Sequence, residues 1–255
     1  IAKANEKLVP FMAVFYIVGT LVIVIMHADM IIPAFASIFS HAFTVKAAAG
    51  GAGGAVIKQA ITWGFKRGVF SNEAGLGSSV MVHSASNVKE PVTQGLWGIF
   101  EVFFDTIVVC TLTALLILTS GIVDLETGAS LSGATKLGLA TEAFTNSFGV
   151  VGGVFIAIAV TLFAFSTVLG WSYYGTKAWE FLFGTKTVII YKVIFVIVIV
   201  LGAARHADLV IDISDTFNGL MAIPNLIGVL TLSGTVKAIT DNYAKRKFKN
   251  QTDVE

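Results

Sequence analysis

Apolar runs of about 20 residues, enough for a helix to cross a hydrocarbon layer ~30 Å thick, recur along the chain and set its organisation. Leu8–Met26 is one such run, without a charge. Ile31–Phe43 is apolar but short and opens at Pro33, so it predicts a re-entrant or interfacial helix. Ala47–Ala55 consists of alanine and glycine alone and predicts a hinge. Val56–Ser86 has the length of a crossing, but a polar stretch interrupts it. Leu96–Val123 is the next span. Ala143–Thr176 is uncharged and longer than a perpendicular helix needs, which predicts tilt or an interfacial lead-in. Val188–Ala204 and Leu209–Val236 complete six crossings, and 237–255 forms a tail.

Composition agrees with that pattern. Hydrophobic residues make up 55% of the chain and charged residues 13%, against about 25% charged in soluble domains. The class is an all-α polytopic membrane protein with a single transmembrane domain over 1–255. A net charge of +1 says nothing about nucleic acid, which is not an expected partner; the distribution of charge is what matters. Cys110 is the one cysteine; it lies in an apolar run, reads as a small buried hydrophobe, and leaves no disulfide framework. The four histidines, His27, His41, His83 and His206, lack metal-ligand spacing.

Charge placement predicts orientation. Lys245, Arg246, Lys247 and Lys249 follow the last span and put the C-terminus in the cytoplasm. With six crossings, Lys3, Lys7, Lys89, Lys177 and Lys186 fall on the same side, and Asp124, Glu126 and Glu142 on the other. The chain starts Ile1-Ala2-Lys3, without Met or a leader pattern, which predicts that an N-terminal part of the gene product lies outside it.

The interruption in Val56–Ser86 carries the most chemistry. Gly64 to Ser79 reads GFKRGVFSNEAGLGSS and holds Lys66, Arg67, Glu73, an amide, three serines and four glycines. Charged groups and freed backbone are expensive in hydrocarbon and persist only where they line a cavity or are covered by other helices. Gly64, Gly68, Gly75 and Gly77 can break the helix. The end of the first half would offer carbonyl oxygens to Na⁺ or an ammonium, and the resumed half N–H groups to a carboxylate. A zwitterionic amino acid needs both. The alternative is a glycine packing motif around a buried Lys/Arg–Glu pair.

Three further segments carry polar groups in apolar surroundings. On a helix, Phe163, Thr167, Gly170, Trp171 and Tyr174 share a face. Ser166 and Thr167 supply hydroxyl oxygens suited to an alkali cation, and Gly170 opens space beside Trp171; alternatively the hydroxyls bond back to their own helix and the aromatics form an interfacial belt. Glu101 and Asp105 lie one turn apart and could share a proton, pair with Lys66 or Arg67, or sit near the helix start. Pro224 should kink the last span, on which Asn218 and Asn225 read as groups bridging helices, with lining a pathway as the alternative; Asp212 and Asp215 read as interfacial.

Four stretches together resemble the alanine or glycine:cation symporter family, also called sodium:alanine symporters. They are GFKRGVFSNEAGLGSSVMVHSAS, PVTQGLWGIFEVFFDTIVVCTLTALLILTSG, AFSTVLGWSYYG and FNGLMAIPNLIGVL, in the family's order. The resemblance implies a LeuT-like inverted-repeat core of the amino acid–polyamine–cation superfamily, of which this chain would hold core helices five to ten and lack the N-terminal half. It implies Phe70, Ser71, Asn72, Gly75, Thr167, Gly170 and Trp171 at the substrate and Ser166 and Thr167 at Na⁺. Lys66, Arg67, Glu73, Glu101 and Asp105 are gating or coupling candidates.

The function so implied is secondary active symport of alanine or glycine with Na⁺ or H⁺ in the plasma membrane (the inner membrane in a bacterium). No cofactor other than the coupling ion is expected. An enzyme is not: Glu101, Asp105 and His83 lack a nucleophile–base pair or a metal triad. The alternative is a non-transporting sensor or partner subunit on the same scaffold.

Overall fold

The computed structural model describes residues 2–43, 53–135 and 137–248. Among them the fold is helical, with turns and an isolated bridge between Val123 and Ser130 but no strand. The helices are α1 (Ala2–Met26), α2 (Ile31–Phe43), α3 (Gly53–Asn72), α4 (Val80–His83), α5 (Pro91–Thr119), α6 (Leu137–Phe183), α7 (Val188–Ala203) and α8 (Ala207–Phe248). Among the described residues, five helical stretches are long and apolar enough to cross a membrane: Glu6–Met26, Pro91–Thr119, Leu137–Phe183, Thr185–Ala203 and Ala207–Lys247. The expected crossing over 56–86 is not among them, because Lys58, Lys66 and Arg67 interrupt α3.

The chain divides into two compact units, Ile1–Phe65 with Phe104–Tyr173, and Lys66–Phe103 with Tyr174–Glu255. The core of the first contains Tyr16 and Ile23 of α1, Leu116 of α5, Ile122, Val123, and Ala143, Phe144, Ile156 and Ala159 of α6. Phe155 stacks between Phe15 and Phe144, with centroid separations of 4.2 and 4.9 Å. This stack needs Gly19, since a Cβ there would lie 2.2 Å from the Phe155 ring. Thr113 spends its proton on the Val109 carbonyl (2.9 Å), so Tyr16 donates to the Thr113 hydroxyl, also at 2.9 Å.

Several expectations change in this unit. The uncharged stretch expected over 143–176 is really two helices joined at Gly149, whose φ of 58° and ψ of −136° are not helical. The first piece covers 137–148. Helix α2 begins two residues ahead of Pro33, which is tolerated because a proline in the first turn gives up no intrahelical bond. Helix α5 takes π geometry over Phe104–Val109, a turn that includes Asp105. Cys110 is exposed rather than buried, and α5 ends at Thr119, four residues short of the expected span.

Residues 123–130 form a closed loop. The Asp124 carboxylate accepts from the Thr127 hydroxyl (2.7 Å) and the Glu126 N–H (2.9 Å), and these bonds hold its carboxyl below the usual carboxylate range. Ser37 of α2 donates to the Leu125 carbonyl at 2.7 Å.

In the second unit, α7 packs on the end of α6. The Trp179 indole N–H donates to Thr187 (3.0 Å), and the Tyr191 hydroxyl fills the place a Cβ on Gly175 would take. Helix α8 runs through Pro224 without a break as far as Phe248, so the expected tail starts as helix. Lys249 and the rest of the tail lie outside the described residues, as do residues 47–52 of the expected hinge, whose remainder opens α3.

Candidate functional site

The polar cassette does interrupt the helix, and it does so late. Gly64 and Gly68 stay within α3, contrary to expectation, because glycine destabilises a helix without forcing it to end. The break falls at Glu73, whose φ is +51°. The Ala74 N–H reaches back to the Val69 carbonyl at 3.2 Å, the six-to-one bond of a Schellman ending, with Glu73 in the left-handed position usually given to glycine. Such a conformation costs about 1 kcal/mol or more for a residue with a Cβ.

Two further left-handed residues, Gly75 (+75°) and Gly77 (+81°), carry the chain through 73–79. The Glu73 carboxylate closes this segment by accepting the Ser78 hydroxyl at 2.6 Å. Leu76 and Ser78 are buried, whereas Gly75 is exposed. The resumed helix, α4, is only Val80–His83. One turn is too short to build the helix dipole expected to face a carboxylate.

Around the break, Phe70 and Ser71 are exposed and Asn72 is half-buried. The Arg67 guanidinium lies 5.6 Å from the Phe70 ring centroid, a cation–π distance. Lys66 and Arg67 share the Asp215 carboxylate of α8, at 2.8 and 2.7 Å. Asp215 is thus the carboxylate of this ion cluster. Glu101 lies 3.6 Å from His83 Nε2, and His83 Nδ1 pairs with Gln94 at 2.7 Å.

The remaining expected residues belong to the first unit. Ser166 is buried; its hydroxyl donates to the Phe163 carbonyl at 2.9 Å and lies 3.3 Å from Met12 Sδ. This is the back-bonding alternative, taken at i−3. The Phe163 ring meets Tyr16 edge-on at 5.6 Å. Thr167, one residue and about 100° further round the helix, is exposed. Trp171 and Gly170 are half-buried, and a Cβ on Gly170 would meet nothing within 4 Å.

Among the described residues, no three of His, Cys, Asp and Glu gather as a metal site.

The model of the Sodium:alanine symporter family matches residues 1–255. The chain belongs to this family. Similar proteins include the Sodium/alanine symporter AgcS of Methanococcus maripaludis, 48% identical over 98% of this chain and 54% of its own length. The Amino-acid carrier protein AlsT of Bacillus subtilis is 34% identical over 97% of this chain and 51% of its own. The protein named Probable sodium/glutamine symporter GlnT, of the same organism, is 36% identical over 97% and 50%. The chain spans about half the length of these relatives.

For a sodium:alanine symporter-family chain, two polar residues of α8 meet the cassette, a pairing the sequence did not show. One is Asp215. The other is Asn225, whose Oδ1 would lie 2.7 Å from a Cβ placed on Gly77. Asp215 had one legible signal, a carboxylate within a membrane span.

Proposed function

We propose that the protein carrying this chain is a secondary active symporter of alternating-access type. It couples entry of Na⁺, with H⁺ as the other candidate ion, to uptake of a small amino acid such as alanine or glycine. The observation that carries this reading is the break at Glu73–Ser79 in a chain of the sodium:alanine symporter family. Backbone freed at a break is tolerated in a membrane where it meets a ligand, and LeuT-like transporters bind substrate at interrupted helices.

In this reading Phe70, Ser71, Asn72 and the backbone at Gly75 contact the substrate. Ser166 and Thr167 hold the ion, while Gly170 and Trp171 set the room left for the side chain. Glu73, Lys66, Arg67, Glu101 and Asp105 act on the gates or on coupling. The fold is the LeuT-like inverted repeat, placed in the plasma membrane with the C-terminus in the cytoplasm. Ion binding must favour the substrate-ready conformation more than the other, because an ion with equal affinity for both couples nothing.

One relative is named for alanine and another for glutamine, so substrate size is the first property to measure. Uptake of radiolabelled alanine, glycine and glutamine by vesicles bearing the complete gene product tests the reading. It requires alanine or glycine to be carried, and carried only with Na⁺ or a proton gradient. Uptake indifferent to both ions contradicts it.

A further inference from the structure

Helix α8 accompanies the broken helix on both sides of its break. Before the break, Asp215 binds Lys66 and Arg67. Ten residues on, about 15 Å along the helix, Asn225 and Leu226 lie against the unwound segment itself. A Cβ on Gly77 would fall 2.7 Å from Asn225 Oδ1, 2.9 Å from its Cγ and 3.2 Å from its Cβ, and a Cβ on Gly75 would fall 3.7 Å from the Leu226 side chain. Past the resumed turn, Arg246 donates to Glu90 at 2.6 Å, and this bond holds the Glu90 carboxyl below its usual range. The contacts follow the same order on both partners: 66–67, 77 and, in the connection between α4 and α5, 90 against 215, 225 and 246. Helix α8 therefore follows the broken one into its unwound segment and the connection beyond.

The middle contact has no charge, so it acts by shape. Gly77 has no side chain, and the Asn225 side chain occupies the place where one would be. Nothing else on α8 comes as close to the segment's backbone among the glycine surroundings described. From this geometry we infer that Asn225 is a positioning residue: seated on Gly77, it holds 73–79 in the shape that receives the amino acid. The inference rests on the transporter reading for its functional half, since the segment is the proposed substrate contact. Its structural half stands independently.

The test uses the complete gene product with Cys110 and every cysteine outside this chain replaced by alanine as background. Asn225→Ala should raise the KM for the amino acid by about fivefold while leaving the maximal rate within about twofold. Asn225→Leu, which restores the volume without the amide, should keep the KM within about twofold of the parent. A second readout is independent of transport. Labelling of Ser79→Cys by a maleimide should accelerate about fivefold with Asn225→Ala and hardly change with Asn225→Leu, as expected when a local opening becomes easier. If no amino acid is carried but labelling follows this pattern, the transport reading falls and the seat remains. If Asn225→Ala leaves labelling and KM unchanged, or Asn225→Leu behaves like Asn225→Ala, the inference is overturned.

Discussion

The Ser78 hydroxyl donates to the Glu73 carboxylate at 2.6 Å and closes a ring over the point where α3 stops. Glu73 holds its left-handed backbone there without glycine's freedom, so this side-chain bond is what compensates the strain. A hydrogen bond to a charged acceptor contributes about 1.5–3 kcal/mol. Ser78→Ala should therefore loosen the segment and lower substrate affinity about tenfold, while Glu73→Gly relieves the backbone but loses the ring. Binding titration of purified protein checks this. Equal affinity in Ser78→Ala and the parent removes the ring from the mechanism.

Asp215 bridges two cations with one carboxylate, and the cluster keeps one net positive charge. Asp215→Asn leaves Lys66 and Arg67 facing each other across an amide. Losing one partner of a fully buried pair costs about 3–5 kcal/mol; here the lysine and arginine side chains are 39% and 40% exposed, so about 1–2 kcal/mol is expected. The double variant Asp215→Asn with Lys66→Gln should recover part of the lost thermal stability. No recovery would mean that the cations do not repel each other through this carboxylate.

Two neighbours on α1 test packing with opposite signs. Gly19→Ala drives a methyl into the Phe155 ring and should destabilise the protein by about 1–3 kcal/mol. The Thr20 hydroxyl is fully buried with no hydrogen-bond partner, so Thr20→Val should be neutral or stabilising. Thermal unfolding followed by size-exclusion fluorescence reads both; a Thr20→Val protein that melts lower assigns that hydroxyl a partner.

The loop over 123–130 should respond to acid. Hydrogen bonds from Thr127 and Glu126 lower the folded-state pKa of Asp124. A lowered pKa contributes stability that is present above the unfolded-state value and is lost as pH falls through the folded one. The Gly128 amide, bonded to the Asp124 carbonyl at 2.8 Å, should lose protection against hydrogen exchange between about pH 4 and pH 2 after correction for intrinsic rates. In Asp124→Asn, protection should be lower and flat over that range. An unchanged profile in the variant would contradict the assignment.

How far the sequence could be read depended on range. The helical class and the presence of helices long and apolar enough to cross a membrane followed from apolar run lengths, a one-dimensional property; the bounds of the individual spans did not. That a helix breaks inside GFKRGVFSNEAGLGSS was legible, because charge and glycine together cannot form an ordinary crossing. The place of the break was not: four glycines competed, and the Schellman ending settled on Glu73, which no glycine rule selects. Asp215 and Asn225 were recognised as polar groups on a membrane helix but not as partners of the cassette. Pairings that distant in sequence depend on how helices pack, and periodicity carries no information about that. Ser166 and Thr167, adjacent in the chain, differ in burial because a helix turns about 100° per residue.

The central claim is that the family's broken helix serves uphill, ion-driven transport. The direct measurement is accumulation of labelled alanine, with glycine in parallel, inside proteoliposomes of the complete gene product under an inward Na⁺ gradient at fixed pH. The account predicts accumulation above the external concentration, abolished when K⁺ replaces Na⁺ and requiring more Na⁺ for half-maximal rate in Thr167→Ala. Equilibration without accumulation under Na⁺ and proton gradients alike would contradict it.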